Sequence, residues 1–160
     1  MDKKEVSQYV NEYWVLRDMQ FAAYELYARR WGLTAKEVFV LYILWFSPEG
    51  SLQSEICEKL SATKQTVSAI IKKFWKAGYL EYTESEKDRR NKVLHFTDAG
   101  KAYTEKIIIP VIKAENEAMA ELNEKDVAEL VRLTTLLSRR MKEKFDALPG
   151  RTMETRGKEQ

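Results

Sequence analysis

Positively charged and short polar side chains are concentrated between residues 59 and 80 of this 160-residue chain. The stretch contains no aspartate or glutamate, and its lysines are Lys59, Lys64, Lys72, Lys73 and Lys76. The net charge of the whole chain is only +2, so the local excess of positive charge is more informative than the total. Because a local positive potential attracts phosphate groups, the stretch predicts a partner that carries phosphates.

An amphipathic helix is predicted inside this stretch, from Thr63 to Ala77. Its apolar positions recur every three or four residues and therefore share one buried face: Val67, Ile70, Ile71 and Phe74. A helix of this kind fits the major groove of duplex DNA and presents its polar face to bases and phosphates. The candidate DNA-binding residues on that face are Thr63, Lys64, Gln65, Thr66, Ser68 and Lys72.

These candidates differ in the contacts that their side chains suit. The Gln65 amide suits the edge of an adenine, whereas Lys64 and Lys72 suit phosphates. Thr63, at the start of the helix, adds backbone N–H groups for a phosphate. The alternative is a polar face that contacts only solvent. The absence of acids favours DNA binding, as do the short helix and the hairpin on either side.

A charged hairpin tip is predicted after this helix, at residues 84–91, between strand-forming residues at 79–83 and 93–96. An arginine at the end of a thin ribbon can enter a narrow minor groove, and a nearby aspartate can orient it through a charge-assisted hydrogen bond. The alternative is a polar hairpin with an ordinary surface ion pair. The candidate DNA-binding residues here are Lys87, Asp88, Arg89, Arg90 and Lys92.

Three helices are predicted before the lysine-rich helix. A long, aromatic-rich helix runs from Lys3 to Trp31 and is ended by a glycine. The second helix begins at a capping box formed by Thr34 and Glu37. A short third helix occupies 52–60, and a short helix directly before a polar-faced one is typical of a helix-turn-helix.

Two long helices are predicted after the hairpin. Thr97 caps the first, which Pro110 kinks or locally breaks, and Asn123 caps the second. The sequence therefore predicts a mainly α protein with a small two- to three-stranded antiparallel wing. This fold class is a winged helix-turn-helix with a helical dimerisation region.

The chain is predicted to divide into four regions. Residues 1–32 and 101–148 form the dimerisation region, 33–100 form the DNA-binding lobe, and 149–160 form a disordered tail. The terminal helices are strongly apolar, although no other partner for them is evident in the chain. They therefore predict a homodimer.

The segment 52–100 resembles the MarR family of transcription regulators. The resemblance lies in TKQTVSAIIKKFWKAGYL for the recognition helix and DRRNKVLHFTDAG for the wing. The wing signature of the family is an Asp, one residue, an Arg, then a Leu-Thr pair, two residues and a Gly. This chain matches it with Asp88, Arg90, Thr97 and Gly100, while Phe96 replaces the leucine. The resemblance covers residues 5–146.

The resemblance implies how each element would contact DNA. Arg90 would enter the minor groove, held by Asp88, while the lysine-rich helix would place Lys64, Gln65 and Ser68 in the major groove. The first and the last two helices would interlock with a second subunit. The two recognition helices would then lie about 34 Å apart, on a pseudo-palindromic double-stranded operator. The first wing strand is acidic here, so phosphate contacts are expected at the tip.

Many relatives bind small anionic or phenolic ligands, and such a ligand would release this protein, acting as a repressor, from its operator. Aromatic residues in the first two helices are candidates for lining the site, with an arginine for the anion. The candidate ligand-binding residues are Trp14, Arg17, Phe21, Tyr42 and Trp45. The alternative is that these aromatic residues pack in the core and the dimer interface.

Other classes of function fit the sequence less well. Cys57 and His95 are the only residues of their types and lie far apart, so we expect no enzyme, no metal site and no cofactor. Cys57 is expected to be a buried structural thiol. The apolar run 38–46 is too short to span a bilayer, so we expect a cytoplasmic protein without membrane contact. The alternative to a DNA-binding regulator is a winged-helix scaffold for protein interactions, without an operator.

Overall fold

The computed structural model describes residues 1–84 and 92–149, so the hairpin tip and residues 150–160 lie outside the described residues. In chain order the elements are α1 (Lys3–Arg29), α2 (Ala35–Trp45), β1 (Ser51–Leu52), α3 (Gln53–Leu60), α4 (Lys64–Lys76), β2 (Leu80–Glu84), β3 (Lys92–Phe96), α5 (Asp98–Ala120) and α6 (Glu124–Asp146). The structure confirms the predicted fold class, a mainly helical chain with a small antiparallel sheet.

The helix boundaries follow from local hydrogen bonds that the sequence predicts. At the start of α2, the Glu37 backbone N–H donates to the Thr34 hydroxyl at 3.3 Å, and the Thr34 N–H donates to the Glu37 carboxylate at 2.9 Å. This reciprocal pair is the predicted capping box. Asn123 caps α6 by accepting from the Asp126 N–H at 3.0 Å. Gly32 ends α1 with φ at +65°, a conformation that costs glycine little.

The predicted local break at Pro110 does not occur, because α5 continues from Asp98 to Ala120 with Pro110 inside it, whereas the alternative of a kink stays a prediction. A proline lacks the N–H that would close one helical hydrogen bond, but its fixed φ of about −65° is itself helical. The neighbouring Ile107, Ile108 and Val111 are buried. Burial of these residues offsets the lost hydrogen bond and keeps the helix continuous.

The sheet has three strands in the order β1-β3-β2, all antiparallel. The hairpin register pairs Leu80 with Phe96 and Glu84 with Lys92. On the other side of β3, Ser51 pairs with Leu94. The two-residue strand β1 therefore fixes the start of α3 to the wing, because the last residue of β1 directly precedes that helix.

The chain divides into two compact units, residues 1–113 and residues from 114 onward. In the first unit, one core buries side chains from α2, α3, α4, β3 and α5. Its largest fully buried side chains include Leu41, Ile56, Ile71, Phe74, Leu94 and Ile107. In the second unit, α6 has no buried residue. No helix within 1–84 and 92–149 has the length and apolarity needed to cross a bilayer.

The start of α5 is held against the end of α4 by backbone contacts. Thr97 donates its N–H to the Tyr79 carbonyl at 3.1 Å and its hydroxyl to the Gly78 carbonyl at 2.6 Å. The same hydroxyl accepts from the Gly100 N–H at 3.0 Å, which confirms the predicted cap. A Cβ at Gly100 would overlap the Tyr79 carbonyl. Two residues of the wing signature, Thr97 and Gly100, therefore have structural roles at this junction.

Replacing Gly100 with alanine is expected to lower the free energy of unfolding by about 3 kcal/mol, because the added methyl group must displace the backbone of Tyr79. Gly78→Ala is the matched control. At Gly78 the backbone φ is +74°, but no atom would lie within 4 Å of an added Cβ. The free energy of unfolding should therefore fall by about 1 kcal/mol, the conformational cost of alanine at this φ. Urea unfolding measures both variants, and equal losses would contradict the close approach at Gly100.

Candidate nucleic-acid interface

The rotation of α4 about its axis is fixed by the apolar face that the sequence predicted. Val67, Ile71 and Phe74 are 0%, 1% and 2% exposed, and Ile70 is 7% exposed. A helix is rigid on this scale, so burying these four residues determines which side chains point outward. The structure therefore confirms the predicted inner face of the helix and leaves its polar face open to solvent.

The outward face of α4 and the residue that caps it contain five of the eleven predicted DNA-binding residues. Those that the structure places in exposed positions are Thr63, Lys64, Gln65, Ser68 and Lys72. Thr66 is half-buried, and its hydroxyl lies 2.9 Å from that of Thr63. The Thr63 hydroxyl also accepts from the Thr66 N–H at 3.2 Å and caps the helix. Part of the hydrogen-bonding capacity of both hydroxyls is thus used inside the protein.

A tight turn sets the angle between α3 and α4. Ser61 adopts a left-handed conformation with φ at +48°, and the Ala62 N–H donates to the Cys57 carbonyl at 3.0 Å. The Gln53 amide then donates to the Lys64 carbonyl at 3.3 Å and ties α3 to the first turn of α4. These contacts orient the N-terminal end of α4, where most of the candidate base-reading side chains lie.

Lys73 differs from the other lysines of α4 because it forms an ion pair with a residue of α2. Its Nζ lies 2.7 Å from the Glu37 carboxylate, whose side chain is only 11% exposed. The same carboxylate completes the capping box of α2. Glu37 therefore links the start of α2 to the third turn of α4. The sequence alone indicated the capping role of Glu37, but not this ion pair between residues 36 positions apart.

A group of three aromatic rings packs around Tyr103 of α5. Tyr79 and Tyr103 stack with ring centroids 4.3 Å apart, and Trp31 meets the Tyr103 ring edge-on at 6.4 Å. Partial burial raises the pKa of the Tyr103 phenol above its ordinary value, and the neighbouring Tyr79 and Glu37 act in the same direction. These contacts join the end of α1, α5 and the connection between α4 and β2.

One of the predicted DNA-binding residues of the wing, Lys92, lies at the base of the hairpin. Lys92 is exposed, and its Nζ lies 5.8 Å from the centroid of the Tyr82 ring. On the other face of the hairpin, the Thr83 hydroxyl and the His95 ring nitrogen are 2.8 Å apart. The other predicted wing residues, Lys87, Asp88, Arg89 and Arg90, lie outside the described residues, so their DNA contacts stay predictions.

The structure places the candidate ligand-binding residues on two neighbouring helices. Trp14, Arg17 and Phe21 are exposed on α1, whereas Tyr42 and Trp45 are half-buried on α2. Phe21 packs near Phe39 of α2, with ring centroids 6.2 Å apart. A separate open cavity between the end of α2 and α3 is lined by Ser47, Pro48, Glu49, Gly50, Glu55, Glu58 and Lys59. Its three carboxylates make it unsuitable for an anion, so it does not replace the predicted site.

Cys57, predicted to be a buried structural thiol, is half-buried and packs against the core. It lies one residue after Ile56, which is the fully buried position of α3. The short helix has only eight residues, so its single inward stripe is narrow. Cys57 therefore sits at the margin of that stripe.

Comparisons with known proteins agree with this geometry. Residues 33–100 match a family model described as a winged helix DNA-binding domain. The HTH-type transcriptional regulator PapX of Escherichia coli is 31% identical over 93 residues, which cover 58% of this chain. The match spans 54%, about half, of the length of that relative.

Solved structures match over most of the chain. The MarR family regulator NMB1585 of Neisseria meningitidis is 25% identical, with a TM-score of 0.74 and coverage of 86% of this chain and 96% of its own. The MepR–DNA complex of S. aureus is 18% identical, with a TM-score of 0.70 and coverage of 82% and 95%. This second likeness concerns the fold alone.

The exposed basic helix, the three-stranded wing and the matched model agree on the class of the lobe: residues 33–100 match a winged helix DNA-binding domain. The helices before and after the lobe also match the MarR family regulator NMB1585, so the likeness to that family extends beyond residues 33–100. The resemblance noted in the sequence is thereby confirmed.

Replacing Glu37 with glutamine is expected to lower the free energy of unfolding by about 1–2 kcal/mol, because the Lys73 ammonium loses a nearly buried carboxylate partner. Glu143→Gln removes an ion pair with Arg140 whose side chains are both more than half exposed, and no measurable change is expected. Chemical denaturation of both variants makes the comparison. If the two substitutions have the same effect, Glu37 does not fix α4.

Proposed function

We propose that this protein is a homodimeric, sequence-specific regulator that binds double-stranded DNA at a pseudo-palindromic operator and represses transcription. A small aromatic or anionic ligand releases it from the operator. Such a protein acts in the compartment that holds the DNA, so we keep the prediction that it is cytoplasmic. We assign it no catalytic residue, metal or cofactor.

The observation that carries this proposal is the composition of the exposed face of α4. Lys64, Lys72 and Lys76 are exposed on it and make no ion pair within residues 1–84 and 92–149. No acidic residue interrupts this face. Cations without internal partners are available to replace the counterions of DNA phosphates, which is the main source of affinity for duplex DNA. Gln65, also exposed, adds a donor–acceptor pair that matches adenine.

Exposed apolar side chains on the long helices support the dimer. On α1 they include Tyr9, Val10, Leu16 and Met19, and on α6 Leu130, Val131, Leu133, Leu136 and Phe145. Apolar surface of this extent on two separate helices is costly in water and marks a protein interface. A two-fold interface would use the same surfaces of both subunits and present two copies of α4 to one duplex.

Arg90→Ala is expected to weaken operator binding strongly, because the minor-groove contact is lost while the helical core is untouched.

Gln65→Ala is expected to cost about 1–3 kcal/mol of discrimination between operator and unrelated DNA. Lys72→Ala should weaken binding to the operator and to unrelated DNA by the same factor. It should also reduce the slope of log affinity against log salt by about one. Fluorescence anisotropy over a salt series measures all three.

The probe for these titrations is the intergenic DNA beside the gene of this protein, searched for an inverted repeat. Unaltered operator binding by both Arg90→Ala and Gln65→Ala would show that the assigned surface is wrong. If the unsubstituted dimer binds no duplex even in dilute buffer, the alternative of a protein-interaction scaffold replaces the proposal. If the proposal is right, the affinity of the protein for duplex DNA falls steeply as the salt concentration rises.

Leu133→Glu is expected to convert the dimer to monomer, because it places a carboxylate among the exposed apolar side chains of α6. Sedimentation equilibrium measures the mass. Lys142→Glu, at a position whose side chain is 78% exposed, is the matched control on the same helix and should leave the dimer intact. A fully dimeric Leu133→Glu variant would exclude α6 from the interface.

The ligand is proposed from the aromatic residues of α1 and α2. Phe21 and Trp14 are 42% and 55% exposed, so these rings are available to a planar ligand, and Arg17 on the same helix supplies a cation. An aromatic acid such as benzoate is expected to quench tryptophan fluorescence saturably and to lower operator affinity. Trp14→Phe and Arg17→Ala should reduce both effects. No saturable effect of any aromatic acid on DNA binding would remove the ligand from the proposal.

A further inference from the structure

Trp75 is a large apolar side chain on the mostly polar, solvent-exposed side of α4. The structure describes every residue of this helix, and Trp75 is its only exposed large apolar side chain, with 52% of its surface accessible. The other exposed residues of the helix are four lysines, Gln65, Ser68 and Ala69. Neither the core nor the predicted DNA-binding residues account for an indole here.

The helical position of Trp75 places it on the same side of α4 as two of the proposed DNA-binding residues, Lys64 and Ser68. It follows Lys64 by eleven residues and Ser68 by seven, which are close to three turns and two turns of an α-helix. Lys72 lies one turn before it. Side chains on a helix lean toward its N-terminus, so the indole is directed toward these residues rather than away from them.

We propose that Trp75 packs against duplex DNA at the edge of the major groove and is a further specificity-determining residue of the interface. This inference rests on the proposed function. The occupant is DNA because the nearest neighbours on the same surface are cations, Lys72 and Lys76, which attract phosphates and would disfavour a basic protein partner.

The chemistry available to the indole is apolar contact. A deoxyribose ring and the C5-methyl group of thymine are the apolar parts of DNA that a helix in the major groove can reach. Tryptophan also contributes a large contact area at a small cost in side-chain entropy, which is why it is enriched among residues that dominate binding energy. The contact involves no charge, and it therefore adds affinity without adding salt dependence.

The experiment compares the dimer with its Trp75→Ala and Trp75→Phe variants on the inverted-repeat duplex over a salt series. Trp75→Ala should lose at least tenfold in affinity and Trp75→Phe less, with the slope against log salt unchanged in both. Phe46→Ala removes another exposed aromatic ring of the lobe, 59% accessible and outside α4, and should bind DNA normally. A duplex with uracil in place of thymine loses affinity if the methyl group is the contact and keeps it if the sugar is.

Acrylamide quenching reports directly on the indole. The difference in emission between the unsubstituted protein and Trp75→Phe should be strongly quenched in the free protein and protected when the duplex is bound. If the unsubstituted protein binds the duplex but Trp75 stays fully quenchable and Trp75→Ala binds normally, this inference is wrong and the proposed function stands. If the unsubstituted protein binds no duplex, the proposed function fails instead.

Discussion

Burial of a narrow apolar face fixes the rotation of α4, and the character of its outer surface depends on this constraint. Val67 and Phe74 are held at the centre of the first unit, together with the two isoleucines between them. A rotation of α4 by one residue, or about 100° on a helix of 3.6 residues per turn, would turn lysines toward that core. The exposed cationic face is therefore a consequence of core packing, and it needs no interaction of its own to form.

Two close backbone approaches hold the neighbouring elements to this helix. At one end, the left-handed turn at Ser61 sets α3 against α4. At the other end, Thr97 and Gly100 bring the start of α5 against the carbonyls of Gly78 and Tyr79. The helix α4 is thus tied at both ends by hydrogen bonds to backbone, which allow less movement than contacts between side-chain tips. A rigidly held helix keeps its exposed side chains in fixed positions, as the proposed contact with base edges requires.

The pairing of Lys73 with Glu37 changes how the lysine-rich stretch is understood. One of its cations is used inside the protein, where it links α4 to the start of α2. The Glu37 carboxylate also acts electrostatically on Tyr103, whose ring stacks on Tyr79 and meets Trp31 at the end of α1. Interactions of Glu37 therefore connect α4 with α2, and the aromatic rings connect α5 with the end of α1. The number of lysines in the sequence of this stretch is therefore larger than the number of unpaired cations on its outer surface.

The sequence by itself determined the features that depend on neighbours three or four positions away. The capping residues Thr34, Thr97 and Asn123 and the buried stripe of α4 are of this kind, because helical hydrogen bonds and helical periodicity are local. Only the tertiary structure decided the ion pair of Glu37 and the continuity of α5 through Pro110. It also decided the two-residue strand β1, which is too short to show a pattern, and the exposure of Trp75, which lies at the border of an amphipathic face. In each of these cases the outcome depends on which distant element packs against the residue, and the order of residues along one helix does not contain that information.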